Sequence, residues 1–185
     1  MELTIKRQIL NDKLNIVSKA LSTKSIVPVL TGIKFDLKEE GLFLTTSNDD
    51  IAIETFIDKK DIQQIDEIGS IIIPGIYFLS IIRKLEDNYI TMSTDGLNIL
   101  ISTKRGEYSL NGMSVTEFPN IRFTELDKPI KISSQILKNI INQTVFAVSI
   151  QESRPVLTGI NFNIKDNIME CTATDSYRLA KKIEI

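Results

Sequence analysis

Pro28-Val29-Leu30-Thr31-Gly32-Ile33-Lys34-Phe35 occurs twice in this chain, returning as Pro155-Val156-Leu157-Thr158-Gly159-Ile160-Asn161-Phe162 with seven of eight positions identical at an offset of 127. The register extends to both sides. Ile5 maps onto Ile132, Ile9-Leu10 onto Ile136-Leu137, Ala20 onto Ala147 and Thr45 onto Thr172. Similarity held at one fixed period is the mark of duplicated structure.

Outward from the first octapeptide, Leu3-Thr4-Ile5 reads as a short strand and residues 7–22 as a helix. Leu10, Leu14, Val17 and Leu21 form its apolar stripe. A strand from Leu30 to Leu37 turns at Lys38-Glu39-Glu40-Gly41, and strands over 42–46 and 51–57 complete a βαβββ unit. The order repeats from residue 68. Ile71-Ile72-Ile73 is a strand, Pro74 suits the first turn of a helix over 76–85, and strands follow at 89–93, 97–103 and 107–110. Thr94-Asp95-Gly96 and Lys104-Arg105-Gly106 are their hairpin turns, and residues 116–128 read as a linker. A third unit starts near Pro129. Its helix follows the N-cap pair Ser133-Ser134 and carries a stripe of Leu137, Ile141, Thr144 and Val148; strands over 156–164, 168–174 and 178–185 complete it. The expected fold is α+β: one domain of two units over 1–127, then the first half of another over 128–185.

Composition narrows the chemistry. Hydrophobic residues make up 42% and charged residues 25%, enough for a packed core. No apolar run is long enough to cross a bilayer. Met1-Glu2-Leu3-Thr4-Ile5-Lys6 lacks a signal-peptide core, which points to the cytoplasm. With no histidine and one cysteine, Cys171, the chain can form no internal disulfide, and a structural zinc site is not expected. The commonest general base is missing too. Net charge is −2, so any affinity for nucleic acid needs its cations gathered on one surface. Lys6, Arg7, Lys13, Lys19 and Lys24 face a single acid, Asp12, around the first helix; Arg83 and Lys84 end the second, and Lys131 and Lys138 flank and occupy the third. Most acids fall in strands, turns and linkers.

Enzymatic readings are weak. Asn48-Asp49-Asp50 with Asp175 could be a carboxylate metal site, though Asn-Asp clusters more often make turns. Cys171 has no histidine to activate it as a nucleophile, and the glycines match no phosphate-binding spacing. No catalytic residue, metal or cofactor is expected. The remaining alternative is a protein-interaction scaffold unrelated to DNA.

Four stretches decide between these classes: Met1-Glu2-Leu3-Thr4-Ile5, Pro28-Val29-Leu30, Glu117-Phe118-Pro119-Asn120, and Ala173-Thr174-Asp175-Ser176-Tyr177-Arg178-Leu179-Ala180. Their order and spacing resemble the N-terminal half of the bacterial DNA sliding clamp, the β subunit of the replicative DNA polymerase. The last stretch is similar to the second-domain signature Ala-Thr-Asp-Gly/Ser-His/Tyr-Arg-Leu-Ala. The resemblance covers the whole chain and about half of a family subunit. It implies helices lining a central hole, with antiparallel sheets outside. The function it implies is a non-catalytic processivity factor that encircles duplex DNA by sequence-independent phosphate contacts.

Site residues follow from the same resemblance. Lys19, Lys24, Gln151 and Arg154 match DNA-contacting positions, and Lys138 joins them by the charge pattern; Phe146 stands at the repeat position of Lys19 and departs from it. Leu157, Thr174, Ser176, Tyr177, Arg178 and Leu179 match a cleft that captures short apolar peptides of the DNA polymerase alpha subunit and the clamp loader. A fourth unit and a third domain lie outside these 185 residues, so that cleft is half-built here. Tyr108 and Leu110, with Tyr77 near by, match an edge that joins subunits into a ring. The third unit, with one sheet edge open, is expected to need a covering surface such as a second copy.

Overall fold

The computed structural model describes residues 1–22, 25–48, 50–121, 130–166 and 168–184. They fall into two compact units, Met1–Arg122 and Phe123–Ile185.

In the first unit β1 (Glu2–Lys6), α1 (Arg7–Val17), β2 (Gly32–Lys38), β3 (Gly41–Ser47) and β4 (Ala52–Asp58) follow the expected order. β5 (Ile62–Glu67) is an extra strand. Gln63, Gln64, Asp66 and Glu67 leave it too polar to show from its sequence. Then come β6 (Gly69–Pro74), α2 (Gly75–Lys84), β7 (Tyr89–Asp95), β8 (Asn98–Ser102) and β9 (Glu107–Asn111). Pro74 ends β6 and precedes the helix instead of sitting in its first turn.

The strands form two antiparallel sheets, β4-β3-β2-β6 and β5-β1-β7-β8-β9. Each opening strand crosses to its neighbour's sheet: β1 pairs with β7, and β6 pairs with β2. The two βαβββ segments therefore interlock, and neither closes its own sheet. Met113 adds a further tie, exchanging backbone hydrogen bonds with Ile72 of β6 at 2.8 and 3.1 Å.

Burial explains the helices. Leu10, Leu14 and Val17 of α1 and Phe78, Leu79 and Ile82 of α2 are buried in one core with Ile33, Phe35, Leu42, Leu44, Ile90 and Ile101. Apolar groups at helical spacing gain about 25 cal/mol per Å² of surface removed from water. Phe35 and Phe78 meet edge to face, centroids 5.2 Å apart, and fix α2 on the four-stranded sheet. The first helix is shorter than the apolar stripe suggests. It ends at Val17, a 3-10 turn covers Ser18–Ala20, and the Thr46 hydroxyl donates to the Val17 carbonyl there. That bond satisfies one of the carbonyls a helix end leaves free.

The repeated octapeptide opens with a turn, not a strand. Pro28–Thr31 is a 3-10 turn and β2 begins at Gly32. Its copy behaves alike: Pro155–Leu157 is a 3-10 turn, and β10 (Asn161–Lys165) starts later still.

The second unit contains α3 (Ser134–Thr144), β10, β11 (Ile168–Thr174) and β12 (Leu179–Glu184), the strands pairing in that order as one antiparallel sheet. Ser133 occupies the N-cap position without a side-chain capping bond. The buried face of α3 is turned relative to the expected stripe. Ile140 and Thr144 are fully buried, whereas Ile141 is 37% exposed. A small core of Ala147, Ala173 and Ala180, joined by Val148 and Ile160, lies beneath.

Residues 130–133 form no strand, and Pro129, where the third unit was expected to start, lies outside the described residues. In the first unit the equivalent strand exists because the next segment's sheet accepts it; these 185 residues hold no such segment after the third. β10 shows the same effect. Its counterpart β2 lies between two strands and alternates with the core, while every residue of β10 is exposed.

Candidate DNA face and peptide-binding turn

α1 and α2 pack side by side, and Arg83 donates from Nη2 to Asn15 Oδ1 across them at 3.0 Å. Lys19 is exposed in the 3-10 turn that prolongs α1, and Arg83 and Lys84 are exposed in the last turn of α2. Cations at a helix C-terminus are also favoured by its dipole. Lys24 lies outside the described residues.

In the second unit Lys138 is exposed midway along α3, and Gln151 and Arg154 are exposed in the loop that follows. Gln151 N–H donates to Ser149 Oγ at 3.1 Å, and the Arg154 carbonyl accepts from Leu157 N–H at 2.9 Å, so the loop is held by its own short bonds. Phe146 is 57% exposed in the turn after α3.

The ion pairs lie away from the helices. Among the described residues they join Lys38 to Asp36, Lys60 to Asp58, Arg105 to Glu86, Arg178 to Asp175, Lys181 to Glu170 and Lys182 to Glu184, besides one at Met1. None involves an α-helix. The three helices carry one acid, Asp12, and Gln8 already donates to it at 2.8 Å. Every ion pair of a lysine or arginine thus lies on a strand, turn or loop, while Lys19, Arg83, Lys84 and Lys138 have no acidic partner among the described residues.

The expected cleft residues converge on one turn. Thr174 ends β11, Leu179 begins β12, and the two are paired. Between them Asp175 Oδ1 accepts from the backbone N–H of Tyr177 and of Arg178, both at 3.0 Å, and Oδ2 accepts from Arg178 Nε at 2.9 Å. The Thr174 hydroxyl donates to the Arg178 carbonyl at 2.7 Å and accepts from Ser176 N–H at 3.2 Å. These backbone bonds, followed by the Arg178 guanidinium, hold the Asp175 carboxyl below the usual aspartate range. Tyr177 is 98% and Leu179 65% exposed. Leu157, half-buried, closes the Pro155 turn three residues before Ile160, which packs on Ala173 and Ala180. Asp175 is the residue that sequence reasoning missed here. Its sequence context suggests a metal ligand, although Asp followed by Ser is also a common turn signal.

Tyr108 and Leu110 lie on β9, an outer strand of the five-stranded sheet; Tyr108 is 42% exposed and Leu110 packs on the core. Tyr77 belongs to a different element, α2, where it is 69% exposed. Among the described residues no three His, Cys, Asp or Glu side chains gather as a metal site, and Asn48 Oδ1 caps its own loop by accepting from Asp50 and Ile51 N–H. Cys171 is buried in β11, and burial, then the charge of Glu184, pushes its thiol pKa up, away from the reactive thiolate. Among the described residues no helix is long and apolar enough to cross a membrane.

Interlocked βαβββ segments with unpaired cations on the helices define a sliding-clamp type of fold. The chain belongs to the DNA polymerase III beta subunit family: the family's N-terminal domain model matches residues 1–122 and its central domain model residues 131–184. It is 44% identical over 191 aligned residues to a beta sliding clamp of Staphylococcus epidermidis, matching all of this chain and 51% of that protein. The DNA polymerase sliding clamp of Bacillus subtilis superimposes with a TM-score of 0.94 at 37% identity, over 100% of this chain and 50% of that one. A sliding clamp of Bartonella birtlesii bound to griselimycin superimposes with a TM-score of 0.89 at 25% identity, again over 100% and 50%. The chain spans about half the length of the curated relatives it matches.

Proposed function

We propose that this chain forms part of a DNA sliding clamp, a non-catalytic cytoplasmic processivity factor that encircles duplex DNA and tethers the replication machinery. In this reading residues 1–127 are one clamp domain and 128–185 the first half of the next. Lys19, Lys24, Lys138, Gln151 and Arg154 contact phosphates. Tyr108 and Leu110, with Tyr77, belong to the contact that closes a ring. The observation that carries the reading is the division of charge: among the described residues the α-helices carry several cations, one acid and no ion pair, and every ion pair lies on strands, turns or loops. Unpaired cations on rigid helices suit a surface that must attract DNA without reading bases, since phosphate contacts permit sliding and base contacts arrest it. Family membership supports the same conclusion.

The test is fluorescence anisotropy of duplex DNA with the 185-residue chain across a salt series. Affinity should fall steeply with salt and be indifferent to sequence. Lys19→Glu and Lys138→Glu should each reduce the salt slope by roughly one. An interaction scaffold unrelated to DNA predicts no salt-dependent binding, and that outcome would displace the clamp reading.

We also read Leu157, Thr174, Ser176, Tyr177, Arg178 and Leu179 as one wall of a groove for short apolar peptides of the polymerase alpha subunit and the clamp loader. Supporting this are the extreme exposure of Tyr177 and Leu179 beside a rigid turn, and a related clamp solved with griselimycin bound. Tyrosine and arginine are residue types that often dominate such interfaces.

A further inference from the structure

We infer that Asp175 is a positioning residue: its carboxylate fixes the backbone of the 174–178 turn and aims the Arg178 guanidinium before any ligand arrives. The inference rests on reading this turn as a peptide-capturing edge.

Hydrophobic packing does not hold the turn. Tyr177 and Leu179 are 98% and 65% exposed, so packing does not orient them. Arg178 is also exposed. Ser176 has φ 79°, the left-handed region a side chain normally avoids, and such a conformation persists only where its surroundings over-determine it. The surroundings that do so are polar and few. One Asp175 oxygen accepts two backbone N–H groups, the other accepts Arg178 Nε, and the Thr174 hydroxyl ties Ser176 N–H to the Arg178 carbonyl. Every one of these bonds closes within five residues, so the turn is rigid by its own chemistry.

Two consequences follow. The Thr174 hydroxyl is already engaged inside the turn, which leaves Ser176, Tyr177, Arg178 and Leu179 as the exposed groups of the turn to meet a ligand. Arg178 is held through Nε, and its side chain stays exposed, so its terminal nitrogens remain available as donors. A guanidinium fixed in advance loses little freedom when a peptide carbonyl or carboxylate arrives, and this preorganisation strengthens binding without adding a contact.

The experiment uses the 185-residue chain, Asp175→Ala and Asp175→Asn, read by amide and Arg Nε–H hydrogen exchange and by titration with griselimycin. In the wild type, Tyr177 N–H, Arg178 N–H and Arg178 Nε–H should all exchange slowly. Asp175→Ala should release all three and weaken griselimycin about tenfold, with exchange in Cys171 and Ala173 of β11 unchanged. Asp175→Asn keeps one acceptor oxygen, so it should rescue the two backbone amides but not Nε–H, and should bind with intermediate affinity. A purely structural role predicts no difference in binding between Asn and the wild type. Fast exchange of Tyr177 and Arg178 in the wild type overturns the inference, as does full griselimycin affinity in Asp175→Ala. If the wild type binds no griselimycin while exchange still responds to Asp175→Ala, the groove reading fails and the assignment of Asp175 to the turn stands.

Discussion

Thr31 and Thr158, separated by 127 positions, make the same bond: each hydroxyl donates to the carbonyl of the proline three residues before it, Pro28 at 2.7 Å and Pro155 at 2.8 Å. The duplicated octapeptide thus preserves a local device, a 3-10 turn that brings the chain into its sheet. Thr31→Val keeps the shape and removes the donor, and should lower the stability of the first unit by about 1 kcal/mol. Thr158→Val should act to a similar extent on the second unit alone. Urea unfolding, followed by amide probes in each unit, measures both.

The same repeat contains a pair with opposite outcomes. A Cβ at Gly32 would lie 2.3 Å from Ile72 Cγ2, because β6 runs alongside; at Gly159 it would meet nothing within 4 Å. Gly32→Ala should cost roughly 1–3 kcal/mol through overpacking. Gly159→Ala should be neutral or stabilise by up to about 1 kcal/mol, by restricting the unfolded chain. Equal losses at both sites would show that β10 is covered in solution as β2 is.

Much of this architecture is written at short range. The stripe of Leu10, Leu14 and Val17 specifies α1, and Lys38-Glu39-Glu40-Gly41 specifies the hairpin between β2 and β3. The exchange of β1 and β6 is not legible, since Ile5 and Ile73 are apolar whichever sheet receives them; pairing partners are chosen by the three-dimensional core. β5 escapes notice because a strand at the sheet margin can remain polar. The opposite error occurred at Ile130–Ser133, where a sequence equivalent to β1 stays unpaired because a strand needs a neighbour to accept its hydrogen bonds. At the candidate sites, the cationic helices are readable from where the charges fall along the sequence. That Arg178 is held through Asp175 is not, because a turn's internal bonds depend on backbone angles as much as on residue type.

Phe146 tests the helix-face reading from the other direction. It stands at the repeat position of Lys19, is 57% exposed in the turn after α3, and belongs neither to the Ala147 core nor to its packing partners. Phe146→Lys should therefore leave stability within about 0.5 kcal/mol of the parent. If the two turns face DNA alike, it should steepen the salt dependence of duplex binding by roughly one and raise affinity at low salt. Anisotropy titrations at several salt concentrations measure the slope; an unchanged slope would mean that this turn faces elsewhere.

Acid should loosen two turns at once. Asp58 Oδ1 accepts from Lys60 N–H at 3.0 Å, with Lys60 Nζ 3.3 Å from the other oxygen, and Asp175 holds Tyr177 and Arg178 in the same manner. In both cases backbone N–H donors are the first cause of a carboxyl held below its ordinary value. A carboxyl depressed by folding stabilises the native state fully above the unfolded aspartate value of about 3.9 and loses that contribution as pH falls through the lower folded value. Amide protection of Lys60, Tyr177 and Arg178 should accordingly stay level from neutral pH to the ordinary aspartate range and collapse beneath it. Side-chain carboxyl carbon shifts should place both titrations on the acid side of a free aspartate. Asp58→Asn should flatten the profile at Lys60 while leaving Tyr177 and Arg178 unaffected, because each carboxylate acts only on its own turn; loss of protection in both turns from that one change would mean that global unfolding, not local protonation, governs the acid response.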